Sequence, residues 1–459
     1  MENFVIEKEM SYSVNFSQDL LYKILNAYIV PNYKLEQQYL DLYDENEIRT
    51  RIFYNDDKIS SISSIKKIQL KHEKFAYWFA NGKSLVPLIW RESKETKISY
   101  KTISSKLNKI IKVYVYKCKN VEIKFEHVYF SKSDIDSFDS TMANKIVKLL
   151  NLLDKSSSTD MQNSQLGSDE ILARIRIEYE FETAPDDSQI TTMCEIILRM
   201  ELYADDQKIL PCVPYTTLLD KMVPRKFERE QKIIYDDKQI KQASIKKWAF
   251  KLDGVRGRGL FMRNFCIIQT DDMRLYSTKC ANLFTLNNIV AFQCEIMENE
   301  NIYITDLLQV FKYKYNNRRQ YECGIQSSYA IHPETAIECI NHMHETIKNV
   351  MCNDIIPHKE LCFQHFFDPP LRQTDYTTVP VDGYVVLDEQ LHYVKYKWIP
   401  TVELEYDESC NIFKSATDLL NDRLILSNIK LIDGHIYECA LTDDSINVLK
   451  HRLDRIVPN

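Results

Sequence analysis

The chain has 459 residues, of which only eight are glycine, and its formal net charge is −7. So few glycines exclude collagen-like and glycine-rich low-complexity chains, and the absence of GxxxxGK(S/T) and GxGxxG excludes a P-loop and the standard dinucleotide fingerprint. The acidic balance argues against a protein that coats duplex nucleic acid, although a local pocket could still accept an RNA end.

No apolar run approaches the roughly 20 residues that cross a bilayer. The N-terminal segment Met1–Glu9 is acidic and alternating, unlike a secretory signal. The 12 cysteines are scattered without a CxxC pair, which is typical of reduced thiols. We therefore expect an intracellular protein in a reducing compartment, with no signal peptide, no transmembrane segment and no membrane partner.

The N-terminal part of the chain predicts mostly strands with two amphipathic helices. Apolar residues at helical spacing place one helix from about Ser17 to Tyr28 and another from Ser133 to Leu153. Residues 109–132 predict a β-hairpin that turns near Lys119 and Asn120. The serine-rich stretch Asp154–Gly167 predicts a loop or linker.

Charge alternates strictly along the predicted strand Ala173–Glu182. Because side chains alternate across a strand, one face carries only charged residues, namely Arg174, Arg176, Glu178, Glu180 and Glu182. A solvent-facing strand is the simpler interpretation. Similar segments elsewhere favour a closed barrel with a polar interior; they contain Glu7 and Glu9, Arg49 and Arg51, Glu92 and Glu95, and Glu122, Lys124 and Glu126.

Such a barrel would suit the hydrolysis of a polyphosphate. Glutamates about 7 Å apart on one strand face repel unless a cation intervenes, and carboxylate clusters are the ligands that Mg²⁺ or Mn²⁺ prefers. Arginines and lysines on neighbouring strands would bind phosphate oxygens. A metal ion beside a basic wall supplies the electrostatics of phosphoryl hydrolysis.

Strand-like runs alternate with helices, such as Pro333–Val350, between Trp248 and Trp398, which predicts an α+β domain. Three of the eight glycines lie in Lys251–Gly259. The sequence KLDGVR there resembles the KxDGxR signature of covalent nucleotidyl transferases, the mRNA guanylyltransferases and the DNA and RNA ligases. A neutral lysine amine attacks a nucleotide α-phosphate and forms a phosphoramidate, and the glycine lets backbone approach the nucleotide. An accidental match on a surface turn is the alternative for this motif alone.

The other motifs of that group follow in order. Glu295 matches the glutamate that contacts the ribose, although the usual Asp-Gly before it is Gln-Cys here. Ile302–Leu308 resembles the next strand, which packs near the base. Asp382 lies in a match to the (E/D)G motif, and Lys395 and Lys397 match KxK, on one strand face toward the α-phosphate.

The last motif is Arg452-Leu-Asp-Arg455, which resembles RxDK and would orient the leaving pyrophosphate. It departs from the group at Arg455, where lysine is usual. Residues 401–459 around it predict short strands with little helix.

Over nearly its whole length the chain resembles the baculovirus late expression factor four family, the capping subunits of the viral RNA polymerase. The resemblance rests on Val5–Glu9, Asp41–Asn46, Lys124–Asp134, Leu172–Arg176, Lys251–Gly254 and His451–Asn459. It implies an α+β multidomain protein: an RNA 5′-triphosphatase domain at 1–215, which is a tunnel-type antiparallel β-barrel with flanking helices, a guanylyltransferase domain of α+β type at 216–400, and a small OB-like β domain at 401–459.

The resemblance also implies roles for single residues. A metal ion, Mg²⁺ or Mn²⁺, would be held by Glu7, Glu9, Glu178 and Glu180. The tunnel would be lined by Arg49, Glu95, Lys124 and Arg176. Lys251 would be the nucleophile, and GTP would contact Lys251, Arg256, Glu295, Asp382, Lys395, Lys397, Arg452 and Arg455. For Arg51, Arg174 and Glu182 two positions are equally compatible with the sequence, one in the tunnel wall and one facing solvent.

The implied activity has two steps, hydrolysis of the γ-phosphate of 5′-triphosphate RNA and transfer of GMP from GTP to the diphosphate end. The implied partners are that RNA end, GTP and other polymerase subunits, in the nucleus of the infected cell. One alternative is an ATP-dependent RNA or DNA ligase, which has no need of the charged strands. The other is a noncatalytic polymerase scaffold, which the intact motif residues argue against.

Overall fold

A computed structural model shows the fold of most of the chain. The residues that it describes are 4–16, 18–55, 58–98, 107–128, 172–205, 221–225, 233–234, 245–262, 265–271, 274–278, 283–284, 288–298, 301–316, 319–347, 350–352, 359–371, 379–416, 419–420, 423–452, 455 and 457–458. The predicted helix Ser133–Leu153 and the predicted linker Asp154–Gly167 lie outside them.

The chain divides into two compact units. The first unit contains Met1–Val213, Phe284–Asn288 and Val310–Ala330, and the second contains Pro214–Leu283, Ile289–Gln309 and Ile331–Asn459. The division into domains at 1–215, 216–400 and 401–459 stays a prediction.

Eight antiparallel strands of the first unit close into a barrel. They are β1 (Phe4–Val14), β2 (Lys34–Asp44), β3 (Ile48–Asn55), β4 (Lys58–Phe79), β5 (Ser84–Ile98), β6 (Leu107–Cys118), β7 (Val121–Val128) and β8 (Leu172–Phe181). Around the ring they run β1-β5-β4-β3-β2-β6-β7-β8, and β8 pairs back onto β1. The predicted barrel is therefore confirmed, and so is the hairpin that turns at Lys119 and Asn120.

The helices of this unit cover the apolar side of the barrel wall. They are α1 (Gln18–Ile24), a π-helical turn (Leu25–Ile29), α2 (Val30–Asn32) and α3 (Asp187–Asp205). Tyr12 of β1 and Ile177 of β8 lie in one buried cluster with Ile24 of α1 and Ile197 of α3. Because neighbouring side chains on a strand face opposite ways, the charged residues between these apolar ones face the barrel interior.

The other strands are β9 (Ile233–Ile234), β10 (Ile245–Leu252), β11 (Val255–Met262), β12 (Phe265–Thr270), β13 (Leu275–Thr278), β14 (Asn288–Ile296), β15 (Ile302–Asn316), β16 (Arg319–Ile331), β17 (Val350–Cys352), β18 (Lys359–Phe363), β19 (Val381–Asp388), β20 (Tyr393–Lys397), β21 (Val402–Asp407), β22 (Ile412–Lys414), β23 (Leu419–Leu420), β24 (Leu424–Ser427), β25 (Ile436–Leu441) and β26 (Ser445–His451). Helix α4 (Pro333–Thr346) confirms the predicted helix there. Across the described ranges, no helix has the length and apolar character to cross a membrane.

Two sheets of the second unit matter for the sites described below. A four-stranded sheet has the order β10-β19-β20-β9, and a six-stranded sheet formed by β21 to β26 has the order β23-β22-β21-β25-β26-β24. The short strands predicted for residues 401–459 are thus confirmed. Separate clusters of buried apolar residues stabilise the two sheets, around Trp248 in the first and Phe413 in the second.

Three glycines, Gly254, Gly259 and Gly383, lie where neighbouring backbone approaches too closely for any side chain, and Gly254 and Gly383 are the two near Lys251. A Cβ atom at Gly383 would lie 1.8 Å from the carbonyl oxygen of Tyr396, and one at Gly254 would lie 2.5 Å from that of Ile296. These distances are far inside van der Waals contact, so only glycine fits without a backbone shift. The need for glycine at these positions is therefore steric, a reason that the sequence did not indicate.

We expect Gly383→Ala to lower the free energy of unfolding by about 3 kcal/mol, because the new methyl group must push β19 and β20 apart. Denaturant titration followed by tryptophan fluorescence measures this, since Trp248 and Trp398 both pack against Tyr384 of this sheet. Gly434→Ala is the matched control. Its φ of +71° is unfavourable for alanine, but the space is open, so the cost is about 1 kcal/mol. Equal losses in the two variants would contradict the steric argument.

Candidate active sites

The predicted tunnel residues lie on the charged inner face of the barrel wall. Strand register places Glu9 opposite Glu180 and Lys124 opposite Arg176. The inner face of β1, β3, β5, β7 and β8 together carries Glu7, Glu9, Arg49, Glu95, Lys124, Arg176, Glu178 and Glu180. The structure thus brings all eight to one lumen, and their catalytic roles stay predictions.

Cations contact the carboxylates at the centre of the lumen. Lys124 Nζ donates to Glu178 Oε2 at 2.6 Å, and Arg176 also contacts Glu178. Arg91 Nη1 donates to Glu9 Oε1 at 3.0 Å. Both carboxylates are buried, so their charges are compensated by these cations rather than by bulk water.

Further ion pairs line the lumen toward the start of β1. Lys67 contacts Glu7, and its Nζ lies 3.7 Å from Glu95 Oε1. Arg49 Nη2 lies 3.4 Å from the same Glu95 oxygen. Acidic and basic groups therefore alternate around the lumen wall, as a site for a bound phosphate and its counterion requires.

Glu9 and Glu178 differ in how strongly their negative charge is stabilised. Burial, together with the charges of Glu178 and Glu7, raises the pKa of Glu9. Burial also acts to raise the pKa of Glu178, but Arg176 and Lys124 outweigh it and hold that pKa well below its usual range. Glu178 is therefore ionised at neutral pH, whereas an additional cation would stabilise the ionised form of Glu9.

The donor chemistry of this lumen fits a divalent cation. Carboxylate oxygens are the ligands that Mg²⁺ and Mn²⁺ prefer, and the mutual repulsion of Glu7, Glu9 and Glu178 would be relieved by positive charge. Within the part of the chain that the structure describes, no group of three or more His, Cys, Asp or Glu side chains is arranged to hold a metal ion. Metal binding by Glu7, Glu9, Glu178 and Glu180 would therefore replace some of their lysine and arginine contacts.

Arg51, Arg174 and Glu182, which the sequence did not assign to either the tunnel wall or the solvent face, lie in different environments. Arg51 makes a bidentate contact with buried Asp41, at 2.8 and 2.9 Å. Arg174 is on the inner face of β8 and exposed, whereas Glu182 follows the end of β8 and is exposed. Glu92 lies on the outer face of β5, opposite Lys8.

Sequence reasoning missed Arg91, Lys67 and Asp41 in the lumen. Arg91 precedes Glu95 by four residues, so period-two alternation along one strand could have found it. Lys67 lies on a strand with a register shift between Gln69 and Lys71. Because such a shift breaks the alternation, the pattern around Lys67 gives no usable signal.

The second site is built on the four-stranded sheet. Lys251, near the end of β10, lies opposite Gly383 of β19, which lies opposite Lys397 of β20. Lys251 Nζ donates to Asp382 Oδ1 at 2.5 Å, and Lys397 Nζ lies 3.2 Å from Asp382 Oδ2. One carboxylate thus joins the predicted nucleophile to a second lysine.

A cavity of about 110 Å³ opens beside Lys251. Its wall contains every residue predicted to contact the nucleotide, namely Lys251, Arg256, Glu295, Asp382, Lys395, Lys397, Arg452 and Arg455. Arg256 lies opposite Glu295 in the β11–β14 pairing and contacts Asp271 at 2.6 Å. The structure therefore brings these eight residues together, although they are far apart in sequence.

Two carboxylates from the six-stranded sheet bind the basic residues of this cavity. Glu403 and Glu438 are opposite each other on β21 and β25. Arg452 Nη1 lies 2.8 Å from Glu403 Oε1 and 3.2 Å from Glu438 Oε2, and Glu438 also contacts Lys397. Arg455 Nε lies 3.2 Å from Glu403 Oε2. Sequence reasoning missed both glutamates, because only strand pairing brings them together.

Burial shifts two ionisable groups of the cavity, Glu295 and Lys395, toward their neutral forms. It raises the pKa of Glu295 to about 7, against the opposing effect of Lys251 and Lys395. Burial and the charge of Lys251 lower the pKa of Lys395 to about 8. The cavity therefore contains a carboxyl group and an amine that each change protonation state near neutral pH.

Comparison with known proteins gives one family over almost the whole chain. The family described as Late expression factor 4 (LEF-4) matches residues 7–459. The mRNA capping enzyme LEF-4 of Autographa californica nuclear polyhedrosis virus is 66% identical over 460 residues, covering 100% of this chain and 99% of that protein. The mRNA capping enzyme LEF-4 of Orgyia pseudotsugata multicapsid polyhedrosis virus is 48% identical over 458 residues, covering 99% and 98%.

Among solved structures, the S. pombe Pct1 RNA triphosphatase is similar with a TM-score of 0.22, alone and in complex with the Spt5 CTD. The structure of Pct1 alone is 11% identical, and its alignment covers 44% of this chain and 83% of Pct1. The structure of the complex is 10% identical, and its alignment covers 44% of this chain and 84% of Pct1.

The contacts of Glu438 predict a loss of stability in acid. Its hydrogen bonds to Lys397 and Thr401 outweigh burial and lower its pKa to about 2. Stabilisation by this carboxylate is complete above its unfolded pKa, near 4.5, and is lost as pH falls toward 2, because the unfolded chain then binds the proton more readily. We expect Glu438→Gln to unfold about 3 kcal/mol more easily at pH 7, with the difference shrinking between pH 5 and pH 3.

Thermal unfolding at several pH values measures this, and Glu408→Gln, an exposed carboxylate that follows β21, is the control. A difference that stays constant with pH would contradict the ionic role of Glu438.

Proposed function

The chain belongs to the late expression factor 4 family, and from this premise we propose that it is an mRNA capping enzyme with two separate active sites. The observation that carries the proposal is the environment of Lys251. Its amine is 2.5 Å from Asp382 in a small cavity lined by Lys395, Lys397 and Arg452. A nucleophilic amine among several cations is the arrangement that attack on a nucleoside triphosphate requires.

In the first reaction the barrel removes the γ-phosphate from 5′-triphosphate RNA. Water attacks the γ-phosphorus, the bond to the bridging oxygen breaks, and orthophosphate and a 5′-diphosphate end are formed. Arg49, Lys124 and Arg176 would bind the phosphate oxygens and stabilise the charge that develops on them. Mg²⁺ or Mn²⁺ bound by Glu7, Glu9, Glu178 and Glu180 would supply Lewis-acid stabilisation.

In the second reaction Lys251 Nζ attacks the α-phosphorus of GTP. The P–N bond forms as the bond to the β-phosphate oxygen breaks, and pyrophosphate leaves. Asp382 accepts a hydrogen bond from the amine and is therefore the nearest acceptor for the proton that the lysine must lose. Arg452 and Arg455 would stabilise the leaving pyrophosphate.

Transfer to RNA then regenerates the lysine. An oxygen of the RNA 5′-diphosphate attacks the phosphorus of the lysyl-N-GMP intermediate, the P–N bond breaks, and the Lys251 amine takes up a proton. Lys395, which burial has made a weaker base, lines the same cavity as Lys251 and would neutralise the phosphate oxygens when protonated. Glu295 would contact the ribose.

The cavity must widen before GTP can enter. Its volume of about 110 Å³ is below the roughly 300 Å³ of typical small-molecule sites. Glu438 and Glu403 bind the same basic residues that the triphosphate would need. We infer that GTP competes with these two carboxylates for Lys397, Arg452 and Arg455.

Family membership also supports the wider setting of the proposal. The substrates would be GTP and the 5′-triphosphate end of nascent RNA. Other subunits of a viral RNA polymerase would be the protein partners, and the host nucleus would be the location.

We expect the two reactions to be lost separately. Glu9→Ala removes a buried carboxylate of the lumen and should abolish γ-phosphate release, with covalent GMP labelling retained. Lys251→Ala removes the nucleophile and should abolish labelling, with γ-phosphate release retained. Release of radiolabelled phosphate and retention of labelled GMP on the denatured protein measure the two reactions. Loss of both reactions in either variant would refute two separate sites.

The same labelling assay separates the alternatives. Lys251→Arg is the matched variant, because it keeps the positive charge and most of the side-chain volume but cannot supply a neutral amine, so labelling should be lost. Labelling of the wild type by ATP but not by GTP would support a ligase. Cap formation that survives Lys251→Ala would support a noncatalytic scaffold.

A further inference from the structure

The two rims of the barrel lumen differ in their charged residues, because carboxylates at one rim pair with Lys67 and Arg49, whereas most charged groups at the other rim are cations. Strands β1 and β7 begin at the rim where β5 and β8 end, because each is antiparallel to its neighbour. The inner face at this rim carries the carboxylates Glu7, Glu95, Glu122 and Glu180. The inner face at the opposite rim, where β8 begins, carries Arg174 and Arg176, with Lys109 at the start of β6.

A pocket of about 390 Å³ opens at this second rim. Four cations lie in its wall, Arg91, Lys109, Arg174 and Arg176, together with the single carboxylate Glu126. We call it the basic pocket. It is large enough for a phosphate group with room for part of a nucleotide.

Two of these cations are already compensated. Arg176 Nε donates to Glu126 Oε1 at 2.7 Å, and Arg91 pairs with Glu9. Lys109 and Arg174 differ, because among the described residues no carboxylate lies within ion-pair distance of either. Lys109 Nζ lies instead 4.4 Å from the centre of the Tyr43 ring.

Among the described residues, two cations with no carboxylate at ion-pair distance thus lie in one pocket, with Lys109 partly buried and Arg174 exposed. Burial, and after it the charge of Arg174, lowers the pKa of Lys109. An anion in the pocket would offset both the desolvation and the repulsion between the two cations. Guanidinium and ammonium groups arranged around a tetrahedral oxyanion are the usual means of binding phosphate.

We propose that the basic pocket binds a phosphate oxyanion, at a site separate from the carboxylate end of the lumen. The proposal rests on the proposed triphosphatase function, which gives the oxyanion two sources. One is the orthophosphate released by hydrolysis, and the other is a phosphate group of the RNA 5′ end.

Direct binding tests the site without turnover. Inorganic phosphate is titrated into the full-length protein by calorimetry, and a 5′-diphosphate RNA is compared with a 5′-hydroxyl RNA of the same sequence by fluorescence anisotropy. The variants are Lys109→Met and Arg174→Gln, each checked by thermal unfolding. Lys112→Met is the matched control, because it removes the same charge from the outer face of β6.

We expect Lys109→Met and Arg174→Gln each to weaken binding about tenfold, the loss of one charge-assisted hydrogen bond, with Lys112→Met unchanged. If Lys109→Met and Arg174→Gln bind inorganic phosphate more weakly than the wild type does, released orthophosphate is the ligand. If the variants bind inorganic phosphate normally but bind the 5′-diphosphate RNA only as weakly as the 5′-hydroxyl RNA, the ligand is a phosphate group of the RNA 5′ end. Equal binding of both ligands by wild type and variants would overturn the site. If the protein releases no γ-phosphate but Lys109→Met still weakens phosphate binding, the triphosphatase function is refuted and the phosphate site is supported.

Discussion

Closure of the eight-stranded barrel is the constraint on which the first site depends. A closed ring has an inside and an outside, so each strand must place every second side chain in a confined lumen. On β1, β7 and β8 most outer positions are apolar and pack against helices, whereas the lumen side of these strands carries most of their charges. Confinement then requires compensation, which is why Glu9 and Glu178 each contact a cation. If the proposed function is correct, the binding of phosphate or of a metal ion would exchange partners within this ionic network.

The second site depends on close strand contact. Gly383 allows β19 and β20 to approach until no Cβ atom fits between them, and this places Lys397 and Asp382 beside Lys251. The six-stranded sheet adds Glu403 and Glu438. Of the few glycines in this chain, Gly254 and Gly383 therefore lie near Lys251 for steric reasons.

Much of both sites could be predicted from sequence where one strand or one motif carried the signal. Strict alternation in residues 173–182 predicted the lumen face of β8, and the motifs predicted that Lys251 lies together with the other residues of its cavity. What sequence could not give is pairing between distant strands. Glu403 and Glu438, and Lys67 beside Glu7, come together only through strand register, and a β-bulge hides the last pair. Helix α3 was also missed, although its buried residues recur at helical spacing, among them Ile190, Cys194 and Ile197.

The central claim is that Lys251 forms a covalent bond with GMP. The most direct measurement is mass spectrometry of peptides after incubation with GTP or, separately, ATP in the presence of Mg²⁺ or Mn²⁺, under alkaline handling that preserves the P–N bond. We expect a GMP adduct on the peptide that contains Lys251, and no adduct from ATP. An adduct on another residue, or an AMP adduct alone, would contradict this claim.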